Sequence, residues 1–250
     1  MADALLHVFG WRSLLFHGDP CVLDRWLWLR RYLRHGDART FDAGCGDGVF
    51  SMYARRAGNS VVAASFSEDD LSKARRRATF TGATGIAFRT LDLRELGAQH
   101  SALGEFDQVI CLESIEHVRD DERLLQSLAD LLRPGGRLLL TTPFAGHRPL
   151  YSEDPTPDTI EDGSHVRYGY SQRQLRHIIE KAGFDVASEG FVSGVVSQTI
   201  TSVMRRTRWF GYLPAWLIVL PLRPLVVLDR PLTRLLRYPY LSLAVCAERR

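Results

Sequence analysis

The stretch FDAGCGDGVF, residues 41–50, places three glycines directly after a short apolar run. Gly44, Gly46 and Gly48 allow the chain to turn sharply out of a strand and into a helix while a ligand touches its backbone. A tight turn with no ligand is the alternative reading. Asp42 precedes the glycines, and a carboxylate suits an ammonium group better than a pyrophosphate. No further glycine follows at the dinucleotide spacing, so the chemistry favoured is a partly cationic ligand. Two other stretches carry reactive side chains. ESIEHV, residues 113–118, brings two carboxylates and an imidazole together, and EDGSHVRYGY, residues 161–170, adds His165, Tyr168 and Tyr170. A loop rich in His and Tyr can hydrogen-bond a hydroxylated substrate. An ordered surface loop with its tyrosines packed inward is the other reading.

These groups need elements to position them. TFDA (40–43), SVVAAS (60–65), IAFRTL (86–91), FDQVICL (106–112) and GRLLLTT (136–142) read as buried strands, with Val, Ile and Leu running continuously. Helical patterns fill 48–57, 68–82 and 120–132, the second opening on Ser67 as an N-cap with acids in its first turn. Strand–helix alternation at this spacing predicts an α/β fold with a doubly wound, Rossmann-like sheet. Ligands bind such sheets at the carboxyl ends of the strands, where the glycine stretch lies. Residues 143–170 are polar, rich in Pro and Gly, and long enough to expect a functional loop. A helix over 171–184 and strands in DVASEGF and YLSLAVCAERR complete a seven-stranded sheet. The organisation expected is an N-terminal helical cover (1–37), a ligand-binding core with a lid at 143–170 (38–194), and a hydrophobic, basic insertion with a final strand (195–250).

The ordered motifs over roughly residues 38–190 resemble the class I S-adenosylmethionine-dependent methyltransferases. DAGCGDG (42–48) is similar to that family's first motif, TLDLREL (90–96) to its acidic motif after the third strand, FDQVICLESIEHV (106–118) to its fourth-strand motif, and LLRPGGRLLLTTP (131–143) to the motif around its fifth strand. The resemblance implies S-adenosylmethionine as cofactor. Asp42, Gly44, Cys45 and Gly46 would hold its methionine part, Asp92 would accept from the adenine amino group with Leu93 stacking nearby, and Cys111 and Leu112 would line the cavity beside the sulfonium. Many members end the second strand with an acid that grips both ribose hydroxyls. Here that place falls to Ser65, with Phe66 beside it and Glu68 as a nearby substitute. The resemblance sets Glu113, Glu116 and His117 on the methyl side of the cleft, and His117 is the expected base for a hydroxyl acceptor. A capping or packing role is the alternative for His117, and orienting it or simple solvation for the two glutamates. No metal is expected, because Asp154, Glu161, Asp162 and His165 match no ligand spacing.

The ends of the chain bound the partners. Residues 201–250 hold nine Arg against Asp229 and Glu248, a balance of +7, whereas the other 200 residues hold 23 Lys and Arg against 27 acids. From Trp209 to Leu222 no residue is charged, arginines flank the stretch on both sides, and Pro214, Pro221 and Pro224 break any single helix. Residues 205–240 are therefore expected to attach peripherally to an anionic membrane, with a dimer interface, a core cover or true insertion as alternatives. A small-molecule or lipid-like acceptor follows from that reading. Nucleic acid is not expected, because the tail is apolar as well as basic. The oligomeric state stays open. VLDRWLWLRRYL (22–33) puts Leu23, Trp26, Leu27 and Leu33 on one helical face. Four scattered cysteines and no basic n-region before an apolar stretch suggest a cytoplasmic chain, peripheral at the inner membrane face. The function expected is O-methylation. The competing classes are a non-catalytic S-adenosylmethionine-binding module, an N- or C-methyltransferase acting on a soluble metabolite, and an NAD-dependent oxidoreductase.

Overall fold

The computed structural model describes residues 12, 13, 15, 18–148, 150, 157, 160, 161 and 163–250. Among them, helix α1 (Pro20–Tyr32) precedes β1 (Arg39–Ala43), α2 (Val49–Arg56), β2 (Ser60–Ser65), α3 (Glu68–Thr81) and β3 (Ile86–Thr90). Then come β4 (Phe106–Leu112), α4 (Asp121–Leu131), β5 (Leu132–Pro143), α5 (Gln172–Lys181) and β6 (Phe184–Val192). Helices α6 (Val195–Thr207), α7 (Tyr212–Val219) and α8 (Asp229–Leu236) lead into β7 (Ser242–Arg249). The strand order is β3-β2-β1-β4-β5-β7-β6. Six strands run parallel, as the continuous apolar runs predict, while β7 pairs antiparallel with both β5 and β6.

That reversal has a cause in the connection. β6 runs parallel to β5, so Val192 ends at the carboxyl edge of the sheet. β7 begins at that same edge, Ser242 paired with Val192, so the three intervening helices return the chain to the edge it left and the strand that follows runs back down. β5 also begins earlier than the sequence suggests. The Arg-Pro-Gly-Gly turn is absorbed into it, with a bulge where β4 shifts register between Phe106 and Gln108.

Helices cover both faces of the sheet. On one, α4 and α5 place Leu124, Leu125, Leu128, Leu175 and Ile179 against Phe41, Val109 and Leu138. On the other, Trp28 and Leu29 of α1, Ala54 of α2 and Leu71 of α3 meet Ala63, Ile110 and Leu139. Burial on both faces is what strands of this composition require.

Buried charges hold the insertion between β6 and β7 together and tie it to the body. Asp229 of α8 accepts from the backbone N–H groups of Gly194 (3.0 Å), Val196 (2.8 Å) and Ser197 (3.2 Å), which caps α6 with a side chain from another helix. Asp24 of α1 accepts from the N–H of Ser193. Arg223, buried, donates to the carbonyl of Gly18 at 2.8 Å, and burial lowers its pKa to about 10. Helices α7 and α8 and the 3-10 segment Leu220–Leu228 between them all pack on α6. The α-helical geometry of α7 stops two residues before Pro221, as the sequence predicts, while Pro214 is tolerated in its first turn. The run Tyr212–Leu236 is long and apolar enough to cross a membrane by length and composition, with mean hydropathy 1.5 and one-third of its apolar window buried.

Candidate functional site

A cleft with about 760 Å³ of empty space, part of it open to solvent, lies at the carboxyl ends of β1 to β4. Its walls are Gly44 and Gly46 after β1, Ser65 and Phe66 after β2, and Leu91, Asp92, Leu93 and Arg94 after β3. Glu113, Ser114, His117 and Val118 follow β4, and Asp70, Glu161 and Gly163 close the sides. The size is that of a small-molecule site.

The glycine turn is shaped from both directions. The N–H groups of Gly44 and Cys45 donate to the carbonyl of Ala64, at 3.0 and 2.8 Å, and so tie the turn to β2. Gly44 has φ +84°, and a Cβ there would lie 2.2 Å from the Ser114 hydroxyl oxygen, so the turns after β1 and β4 meet in contact. Gly46 has φ +50°, and nothing lies within 4 Å of the place its Cβ would take. That open space belongs to the cleft, so a ligand can approach the backbone there.

The remaining groups fit an amino-bearing nucleoside with a charged tail. Both oxygens of Asp92 accept from Arg94, which holds this carboxyl below the usual range and keeps it an ionised acceptor. Leu93 and the exposed ring of Phe66 supply apolar faces. The Ser65 hydroxyl accepts from the Ser67 N–H at 3.2 Å, which leaves its own proton to donate to a ribose. Glu68, the substitute suggested by sequence, is turned away. It accepts from Thr90 at 2.6 Å and pairs with Arg75, and the acid of α3 that lines the cleft is Asp70.

Four of the expected cofactor residues stand behind the wall. Asp42 is buried, accepts from the Ser51 hydroxyl, and is pushed up to about 7 by burial. Cys45 and Cys111 are buried with their thiols pushed up by desolvation, and Leu112 lies in the core. None of the four lines the cleft.

The methyl side has an unusual density of buried polar atoms without partners. They include Glu113 Oε1, Glu116 Oε1, His117 Nδ1, Thr141 Oγ1 and, from α1, Arg25 Nε. Glu113 sits at φ +53°, a strained conformation for a residue with a side chain. Its carboxylate pairs with Arg25 at 2.9 Å and accepts from Ser242 at 3.2 Å. Glu116 is buried, accepts from Thr142 at 3.1 Å, and its carboxyl is raised well above the ordinary range by burial and the nearby charge of Glu113. Of the three expected catalytic residues, Glu113 and His117 line the cleft and Glu116 lies behind them. His165 packs edge-on against His117, ring centroids 4.7 Å apart. Tyr168 is about half exposed, and Tyr170 is buried with its hydroxyl donating to Asp121 at 2.7 Å. Of the four loop residues weighed for a metal, Asp154 and Asp162 lie outside the described residues.

Comparison with known proteins fits this geometry. The family described as "Methyltransferase domain" matches residues 23–189, two-thirds of the chain. The chain belongs to the class I S-adenosylmethionine-dependent methyltransferases. This methyltransferase is 35% identical over 124 residues to the ubiquinone biosynthesis O-methyltransferase of Aromatoleum aromaticum, covering 50% of each chain. It spans about half the length of the curated relatives it matches. A methyltransferase structure from Mesorhizobium loti superposes with TM-score 0.58 at 22% identity, covering 90% of this chain and 97% of the other. Magnesium protoporphyrin IX methyltransferase from Synechocystis, solved with bound S-adenosylmethionine, superposes with TM-score 0.55 at 20% identity, covering 99% and 95%. At those identities the likeness is one of fold. The seven-stranded order with β7 antiparallel is that of the methyltransferase fold.

Sequence reasoning missed several lining residues of this methyltransferase. Asp70 read as a first-turn acid of α3, and Arg94 and Ser114 sat unremarked inside recognised motifs. Arg25, which pairs with Glu113 without lining the cleft, went unremarked in α1, because nothing local marks a partner 88 positions along the chain.

Proposed function

We propose that this methyltransferase transfers a methyl group to an oxygen of a lipid-like acceptor while seated on the cytoplasmic face of an anionic membrane. One observation carries the reading. The insertion α6–α8, whose two ends Val192 and Ser242 pair at the carboxyl edge of β6, presents an exposed apolar surface. Trp209 is 79% and Leu235 77% exposed, with Phe210, Leu217, Val227 and Leu236 also open to solvent. Arginines 205, 206, 208, 230, 234 and 237 flank them. A patch of this kind on a soluble chain marks an interaction surface, and apolar side chains ringed by arginines suit an anionic headgroup layer. Leaving the insertion, the chain enters β7 at Ser242, whose hydroxyl touches Glu113 in the cleft wall, so an acceptor anchored in the membrane has a short path to the methyl side.

When bound, S-adenosylmethionine supplies a methyl group already activated by its sulfonium. The chain's own part is alignment and proton handling. Asp92, Leu93, Ser65 and the glycine turn orient the cofactor. Glu113, paired with Arg25, and His117 face the acceptor, and His117 is the group placed to take the hydroxyl proton. The O-methyltransferase names of the relatives support oxygen as the methylated atom.

Vesicle flotation tests the membrane part. The full chain is expected to float with vesicles of phosphatidylcholine and phosphatidylglycerol, less with phosphatidylcholine alone, and less as salt rises. The double variant Trp209→Ala, Leu235→Asp is expected to remain in the dense fraction. Equal flotation of this variant and the parent, or flotation of neither, refutes the proposal.

A further inference from the structure

The turn that carries His117 has little holding it from within. The 3-10 segment Ile115–His117 is closed by two long bonds, from the N–H of His117 to Ser114 and from the N–H of Val118 to Ile115, both at 3.2 Å, and the Ser114 side chain does not cap it. Four backbone groups of residues 116–119 bond instead to the loop before α5. The N–H of Val166 donates to the Glu116 carbonyl at 3.1 Å, and the N–H of Arg119 donates to Glu161 Oε1 at 2.8 Å. The carbonyls of Val118 and Arg119 both accept from Nη2 of Arg167, at 2.7 and 2.8 Å. Nη1 of the same guanidinium pairs with Asp121, the first residue of α4.

Arg167 makes this reach from a fixed base. Three residues on, the N–H of Tyr170 donates to the carbonyl of Pro143 at the end of β5, and the Tyr170 carbonyl accepts from Ala145, both at 2.9 Å. Tyr170 is buried, the guanidinium lies over its ring at 5.1 Å from the centroid, and its hydroxyl donates to the Asp121 oxygen that Arg167 also meets. A guanidinium is a rigid planar fork, so its several bonds fix the joined segments in angle as well as distance. Two residues before it, His165 brings its ring edge-on to His117. Arg167 does not line the cleft, so whatever it does for the reaction passes through the turn it holds.

We infer that Arg167 is a positioning residue for methyl transfer: it ties the loop bearing His165 to the turn bearing His117 and so fixes the His117 imidazole against the acceptor. The inference rests on His117 as the base for an oxygen acceptor and adds the group that aims it. A base works only within hydrogen-bond reach of the proton it takes, and a displacement of about 1 Å costs on the order of a hundredfold in rate. Arg176 of α5 offers the contrast. It pairs with Glu180 and Glu189 at the surface, away from the cleft.

The test is a double-mutant cycle on the full chain, with initial rates read as label passed from methyl-labelled S-adenosylmethionine to a whole-cell extract of the source organism. Arg167→Met should slow transfer about 10- to 100-fold while calorimetry shows S-adenosylhomocysteine binding close to the parent's. Arg167→Lys, which keeps the charge without the fork, should recover part of the loss, and it keeps the question answerable if Arg167→Met does not fold. Arg176→Met should match the parent. In a His117→Gln background Arg167→Met should add little, because both changes act through one ring. Nuclear magnetic resonance of histidine-labelled protein gives a second reading. The His117 ring signal, identified by its loss in His117→Gln, should shift in Arg167→Met. Full activity in Arg167→Met, or a loss that multiplies with that of His117→Gln, overturns the inference. An unchanged rate in His117→Gln alone sinks the base reading, and the His117 signal then decides the positioning role by itself: a shift in Arg167→Met upholds it and no shift overturns it.

Discussion

Gly46→Ala separates the two things a glycine can do in this turn. At φ +50° an alanine pays the left-handed penalty of about 1–2 kcal/mol. No atom lies within 4 Å of the added methyl, so the fold suffers no clash. The methyl instead occupies space at the cleft wall where the cofactor must pass close to the backbone. Forcing a methyl-sized group into a well-packed contact costs about 1–3 kcal/mol, which is roughly a 5- to 150-fold loss of affinity. Gly82, the C-cap of α3, is a matched control. It has φ +67° and equally open surroundings but lies away from the cleft. Calorimetric titration with S-adenosylhomocysteine, paired with thermal melting, reads both quantities. Gly46→Ala and Gly82→Ala should lower the melting temperature alike, and only the first should weaken binding. Unchanged affinity in Gly46→Ala, or an equal loss in Gly82→Ala, would show that the cofactor does not sit against this turn.

Other expectations follow from individual contacts. His117→Gln should lower the methyl-transfer rate about 10²- to 10⁴-fold with little change in cofactor affinity, as steady-state rates and calorimetry would show. Burial raises Asp42 from 3.8 to about 7, so the folded chain holds this proton more tightly than the unfolded one, and stability falls as pH climbs between those values and is flat above. Asp42→Asn should therefore gain on the parent by up to about 4 kcal/mol between about pH 4 and about pH 8 in urea unfolding. Asp229→Ala leaves the first turn of α6 uncapped and several buried N–H groups unserved. It should cost about 3 kcal/mol, or roughly 6–12 °C in melting temperature by calorimetry.

The sheet was legible because its strands are buried on both faces. Val, Ile and Leu run unbroken through VVAAS, DQVICL and RLLLTT, and glycine or a helix cap punctuates each run. The direction of β7 was not legible, since an antiparallel strand in this position has the same pattern as a parallel one, and only the return of the chain through α6–α8 to the edge it left decides it. The cofactor side of the cleft came through motif order, yet Asp42 and Cys45 stand behind the wall while Asp70 and Ser114 line it. Motif order places a residue on a turn without saying which way it points. Glu113 and Glu116 make the same point more sharply. They are identical in type and three apart, but one lies at a left-handed kink facing the cleft and the other in a 3-10 turn facing inward. No period of 2 or 3.6 describes that bend. The packing of His165 against His117 depends on a contact across 48 residues, which spacing within a motif does not carry.

The central claim is methyl transfer to oxygen on a lipid-like acceptor. Its most direct measurement incubates the purified chain with methyl-labelled S-adenosylmethionine and a whole-cell extract of the source organism, followed by organic–aqueous partition and identification of the labelled atom. Label in the organic phase, in a methyl bound to oxygen and above a boiled control, is the expected result. Label confined to the aqueous phase, or no label from a protein that still binds S-adenosylhomocysteine, contradicts it.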